Sequence, residues 1–193
     1  MLTQIDDTLM TTDAGDFSLR PMQAGDADAV LAFAQALPTH DLLFLPRDIT
    51  QPKVMAAWVR AIEKGDTTTL LAWDDDQVIG CAAIFRDPHS WSPHIGDLRV
   101  VTSAAVRGQG VGRAMIQACL SIMLQGGIEK VVAQMTIDQE GAIGVFESLG
   151  FRSEGLLREH VQDREGRRHD IIILSHDAAK VLGQMNAYGV ARA

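Results

Sequence analysis

"VRGQGVGRAM", residues 106–115, decides the fold of this chain. Glycine stands at 108, 110 and 112, Arg107 and Arg113 flank the group, and an apolar helical pattern begins at once. Glycines this dense weaken a regular helix or strand by roughly 0.5–1 kcal/mol each. Upstream, "HIGDLRVVT" (94–102) reads as a strand, and downstream "RAMIQACLSIMLQGG" (113–127) reads as a helix. A strand that feeds a glycine loop opening a helix suits an anion, above all a phosphate. The first-turn N–H groups lack helical partners and the helix dipole adds positive potential. Arg107 and Arg113 can pair with phosphate oxygens. The loop is not a Walker A motif, because no Gly-Lys-Ser/Thr follows. It is not the dinucleotide fingerprint either, because its third glycine comes one position early. A tight strand-to-helix turn with ordinary surface arginines would look the same, so the glycines alone leave both readings open.

In the helix after the loop, Arg113, Gln117, Ser121 and Gln125 form one polar stripe at every fourth position. Nearly everything else there is apolar or small, which predicts a helix buried on most sides and packed on a sheet. Before the loop, "FSLRPM" (17–22) reads as a strand, and a helix follows with Asp26 as its N-cap and Ala29, Val30, Phe33 and Leu37 on one face. A loop runs through "HDLLFLPRDITQP" (40–52), then a second helix stops at Gly65. "TTTLLAW" and "VIGCAAIF" form an antiparallel hairpin. After the central helix come a strand (128–137), a short helix with Asp138 as N-cap and Gly150 beyond its end, and two strands around "QDREGR". The order predicts an α/β domain over 17–175, with a mixed, mostly antiparallel sheet and helices on both faces. Residues 1–16 read as a flexible tail and 176–193 as a C-terminal helical tail.

The chain has 193 residues, enough for one domain with a useful core. Its net charge of -8 argues against a nucleic-acid surface, although Arg164, Arg167 and Arg168 make a local basic cluster. No apolar run is long enough to span a membrane, and the N-terminal stretch lacks the pattern of a secretory signal. A cytoplasmic protein is expected, with a homodimer left open. Cys81 and Cys119 lie far apart in apolar runs and read as reduced, buried thiols; no metal ligand spacing appears among the cysteines or the six histidines.

"RGQGVGR", with "GAIGVFESLGF" some thirty residues later, resembles the GNAT superfamily of acetyl-CoA-dependent N-acetyltransferases. The family motif Arg/Gln-x-x-Gly-x-Gly/Ala matches Arg107, Gly110 and Gly112, and its aromatic-x-x-x-Gly-Phe motif matches Phe146, Gly150 and Phe151. The element order from Phe17 to Ser175 also matches. The resemblance implies that backbone amides over Gly108, Gln109, Gly110, Val111, Gly112 and Arg113, with Arg107, cradle the CoA pyrophosphate. It implies a bulge near Val100 and Val101 that splays two central strands and lets the pantetheine arm bind between them. Gln139 and Phe146 stand where the family often has Asn and Tyr at the cofactor; Phe cannot donate a proton, so the family's usual general acid is missing. Asp97 is the candidate general base, although on a regular strand it shares a face with Arg99 and could simply pair with it. His94 and Glu159 are weaker candidates. Asp41, Arg47 and Asp48 fall in the loop that borders the acceptor site in this family.

The expected function is transfer of an acetyl group from acetyl-CoA to a primary amine, small or peptidic, by direct attack in a ternary complex without a metal. The rival reading is a CoA-binding sensor or interaction module with the same fold and little or no turnover.

Overall fold

A computed structural model describes residues 7–177 and centres on one eight-stranded sheet. The strands are β1 (Thr8–Thr12), β2 (Gly15–Pro21), β3 (Thr67–Asp74), β4 (Gln77–Phe85), β5 (Ile95–Thr102), β6 (Lys130–Thr136), β7 (Arg152–Gln162) and β8 (Arg168–Asp177). Their spatial order is β1-β2-β3-β4-β5-β6-β8-β7. Neighbours run antiparallel except β5 and β6, which are parallel and joined by a helical crossover. The helices are α1 (Ala27–Ala36), α2 (Pro52–Glu63), α3 (Val111–Gln125) and α4 (Glu140–Ser148). One core layer lies under α3 and α4, with Leu98, Met115, Met123, Phe146 and Phe151 among its members. The other lies under α1 and α2 and contains Val30, Phe33, Met55, Leu71 and Cys81. The expected mixed sheet with helices on both faces is therefore present.

Helix α3 shows why the polar stripe mattered. Arg113, Gln117, Ser121 and Gln125 are its exposed residues, while Met115, Cys119 and Met123 have no solvent access. The sheet makes room for this helix with glycine. A Cβ at Gly80 would lie 2.6 Å from the Met115 sulfur, and one at Gly96 would collide with the Met123 methyl. The two methionines fill the space that side chains on β4 and β5 would otherwise occupy.

Three expectations need correction. Residues 8–12 are not tail but strand β1, paired with β2 from Thr8↔Leu19 to Thr12↔Gly15. Its threonines favour extended backbone, and Met10 packs against the core layer under α3. Asp138 does not cap α4; Gln139 takes the N-cap position, and the Asp138 carboxylate turns to His40. At the other end of the chain β8 continues through His176 and Asp177, and the remainder of the expected helical tail lies outside the described residues.

Two outcomes follow from this packing. Gly80→Val should lower stability by about 1–3 kcal/mol, because the fully buried Met115 thioether must shift within the core to admit it; the urea unfolding midpoint reads it. Cys81 and Cys119 are 2 % and 0 % exposed. Burial pushes the Cys81 thiol up to about 12 and raises Cys119 as well. Both should resist thiol reagents until the chain is unfolded, which mass spectrometry of labelled native protein checks.

Candidate active site

The site begins where two strands part. β5 and β6 pair from Ile95↔Lys130 to Leu98↔Ala133 and no further. Beyond that point Val100, Val101 and Thr102 on one side and Gln134 and Met135 on the other line a cavity of about 660 Å³. The expected bulge is absent: β5 holds constant register on β4 from Asp97↔Phe85 to Thr102↔Gly80. The opening has another cause. The end of β5 is held to β4, where the Ser103 amide donates to the Ile79 carbonyl at 2.8 Å, and the end of β6 is held to β8 as far as Thr136↔Ile171. Each strand keeps its antiparallel ladder and gives up the weaker parallel one.

The glycine loop closes one end of this cavity. Gly108 and Gly110 have φ of 73° and 91°, a left-handed backbone that L side chains rarely adopt. Gly110 is the N-cap of α3, and the first helical bond inside the loop end runs from the Ala114 amide to its carbonyl at 3.0 Å. The first-turn amides before Ala114 therefore have no intrahelical acceptor. Gly108, Gly110, Gly112, Arg107 and Arg113 line the cavity. Gln109 bends back to donate to the Ala105 carbonyl at 2.7 Å, and Val111 is fully buried beneath the loop. Arg107 donates to Asp41 at 2.6 Å, and Arg113 donates to the Ser148 hydroxyl at 2.7 Å.

On the opposite wall Gln139 and Phe146 line the cavity. The Gln139 Oε1 is buried without a hydrogen-bond partner, so an acceptor waits there for an N–H group. The Phe146 ring meets Phe151 edge-on at 4.9 Å and has no proton to give.

Asp97 does not line the cavity. It sits where β5 and β6 are still paired, opposite Val132, and accepts from Arg99 at 2.7 Å. Burial raises its pKa against the opposing pull of Arg99. Arg99 is 5 % exposed while the Asp97 side chain is 36 % exposed, so a half-buried pair sits at the closed end of the opening. His94 is exposed, and its backbone carbonyl receives the Glu129 and Lys130 amides. Glu159 lies in the irregular part of edge strand β7, ion-paired to Arg168. Asp48 organises its own loop: it accepts from the Thr50 amide and hydroxyl, from Gln51 and from Arg164, bonds that hold its pKa down near about 2 against a smaller penalty from burial. Arg47 is exposed, and neither it nor Asp48 faces the cavity. Of the three loop residues, Asp41 alone lines it.

Sequence reasoning passed over the residue beside Asp41. His40 lines the cavity from the 3-10 turn Thr39–Leu42. Its Nε2 lies 2.8 Å from Asp138 Oδ2 and 3.3 Å from the Thr136 hydroxyl. Nearly a hundred residues separate His40 from these partners, so no spacing pattern announced them.

The family model for the acetyltransferase (GNAT) family matches residues 32–151. Among relatives by sequence, N-alpha-acetyltransferase 30 of Schizosaccharomyces pombe is 26 % identical over 129 residues, 65 % of this chain and 85 % of that protein. Mycothiol acetyltransferase of Corynebacterium efficiens is 31 % identical over 97 residues, 50 % of this chain but only 30 % of that protein. Among solved structures, an N-acetyltransferase from Staphylococcus aureus superposes with a TM-score of 0.74 at 16 % identity, over 84 % of this chain and 98 % of that one. Spermidine N-acetyltransferase from Vibrio cholerae, in complex with CoA and spermine, superposes with a TM-score of 0.71 at 16 % identity, over 86 % of this chain and 98 % of that one. With the glycine loop and the parted strands at the centre of the matched span, this chain belongs to the GNAT family of acetyltransferases.

Proposed function

We propose that this protein moves an acetyl group from acetyl-CoA to a primary amine by direct transfer in a ternary complex. The observation that carries the reading is the joining of two features in one cavity: the unpaired end of β5 and the amide-rich start of α3. The pyrophosphate suits the first-turn amides, with Arg107 and Arg113 beside them. The pantetheine amides suit the free edge of β5 around Val100 and Val101, in the manner of an added strand. Gln139 Oε1 offers a further acceptor. Direct transfer fits because both cysteines are buried away from the cavity with raised thiol pKa, which leaves no activated thiol to carry the acetyl group.

Asp41, Asp138 and Glu140 are among the cavity residues. Their charge favours a cationic amine on approach. The second reading, a CoA-binding module without turnover, draws on Phe146, which stands where a proton donor would help the thiol leave. A thiol has a pKa near 8.5 and leaves without strong assistance, so the loss does not forbid catalysis.

Release of free CoA thiol from acetyl-CoA across a panel of amines separates the readings. Amine-dependent release supports the transferase; tight acetyl-CoA binding with no release for any amine supports the module. Phe146→Tyr should leave CoA binding intact and alter turnover by no more than about a hundredfold.

The Asp41–Arg107 pair makes a sharper prediction about binding. Arg107 is partly exposed, so its pair with Asp41 is worth about 0.2–1 kcal/mol. Phosphate must compete with Asp41 for that guanidinium. Asp41→Asn should tighten CoA binding by about 1.5- to 5-fold, and Arg107→Ala should weaken it; calorimetry on both variants checks the signs.

A further inference from the structure

We propose that His40 is the general base of the transfer, with Asp138 as the residue that positions it. The proposal rests on the N-acetyltransferase reading and names a group that the reading left open. Burial opposes the ionisation of Asp138, yet hydrogen bonds with Thr136 and His40 hold its pKa below the usual carboxylate range. An ionised carboxylate 2.8 Å from Nε2 requires a proton on that nitrogen. The neutral imidazole then carries its lone pair on Nδ1, the atom able to accept a proton. Thr136 and Asp138 both lie against the same nitrogen, so Thr136 is not a nucleophile served by His40; its hydroxyl is a second support for the pair.

The surroundings suit this role. His40 lines the cavity together with Val100, Val101 and Met135, the residues at the parted strands. The titratable groups on its own turn and against its ring are engaged with other partners. Asp41, on the same turn, holds Arg107 of the glycine loop. His169 of β8 meets the His40 ring edge-on at 5.0 Å and is itself bound to Asp163 at 3.0 Å. Asp97 is paired with Arg99 outside the cavity lining, so no other carboxylate on β5 competes for the role.

His40 Nδ1 takes one proton from the acceptor ammonium and passes it to solvent. The freed nitrogen pair forms the C–N bond at the thioester carbonyl, whose π pair moves to oxygen. As the carbonyl re-forms, the C–S bond breaks and its electrons leave with the thiolate. The second nitrogen proton, relayed by the same imidazole, neutralises the thiolate. The products are an amide, the CoA thiol and one proton.

The test joins kinetics with a readout that needs no turnover. In wild type, kcat/KM should rise with pH along a limb that stays in place when two amines of different pKa are compared. His40→Ala should lose about 10²–10⁴-fold in kcat/KM near neutral pH and lose that limb. Its Kd for acetyl-CoA should stay within about twofold, since uniform binding is not what was removed. His40→Asn, of nearly the same shape, serves if the alanine variant folds poorly. Imidazole ¹⁵N NMR on the wild-type protein should show His40 as the Nε2–H tautomer when neutral, and Asp138→Asn should mix the tautomers. An Nδ1–H tautomer in wild type, or an active wild type whose His40 variants keep rate and limb, overturns the proposal and leaves the transferase reading standing. Acetyl-CoA binding without transfer to any amine overturns both.

Discussion

The structure depends on a hydrogen-bond ladder that stops early. β5 and β6 meet through Leu98 and Ala133 and then separate, although each continues for several residues. A buried backbone group left without a partner costs about 1–3 kcal/mol, so the edges that part must face water or a ligand. The cavity is therefore a requirement of the sheet as much as a provision for binding. The same antiparallel neighbours that stabilise β4–β5 and β6–β8 hold the two strands apart. The core under α3 and α4 supports both walls from one side, with Ile116 and Phe146 reaching the cavity.

Across the other side of the opening lies the short turn before α2. Two consecutive residues there reach in different directions. His40 bonds to Thr136, the last residue of β6, and to Asp138 just beyond it, while Asp41 bonds to Arg107 beyond the end of β5. One turn thus ties the groups that follow both separated strands. Farther along, Asp48 and Thr50 receive Arg164 from the β7–β8 hairpin, and His169 packs on His40. The loop between α1 and α2 is held by polar contacts on three sides even though its sequence has no regular period.

Local chemistry determined what could be read in advance. The stripe Arg113, Gln117, Ser121 and Gln125 was legible because a helix on a sheet exposes one narrow face. The glycine loop was legible because left-handed backbone demands glycine at Gly108 and Gly110. The hairpin strands followed from their β-branched and apolar runs. What stayed hidden depended on distant pairing. The splay was foreseen as the effect of an inserted residue, but it arises from competition among ladders, which no single strand encodes. Asp97 looked like a base because of its strand, and the pair with Arg99 was open as an alternative; the structure adds that the pair lies outside the cavity. His40 was missed because its meaning comes from Asp138, reached only through the fold. Strand β1 was missed because a short run with one inward apolar residue, Met10, resembles a tail until β2 is beside it.

That first strand has a bearing on how the molecule can be shortened or fused. Thr12, at the tip of the β1–β2 hairpin, is close enough to Gly110 that an added Cβ there would sit 3.3 Å from it. β1 also covers the outer edge of β2. Removing the first fourteen residues would expose that edge to other chains, a known route to edge-to-edge aggregation. It would also take away Thr12, a neighbour of the glycine loop. An attachment ahead of β1 is joined by one hairpin to the glycine-loop end of the cavity, whereas β7 forms the opposite edge of the sheet.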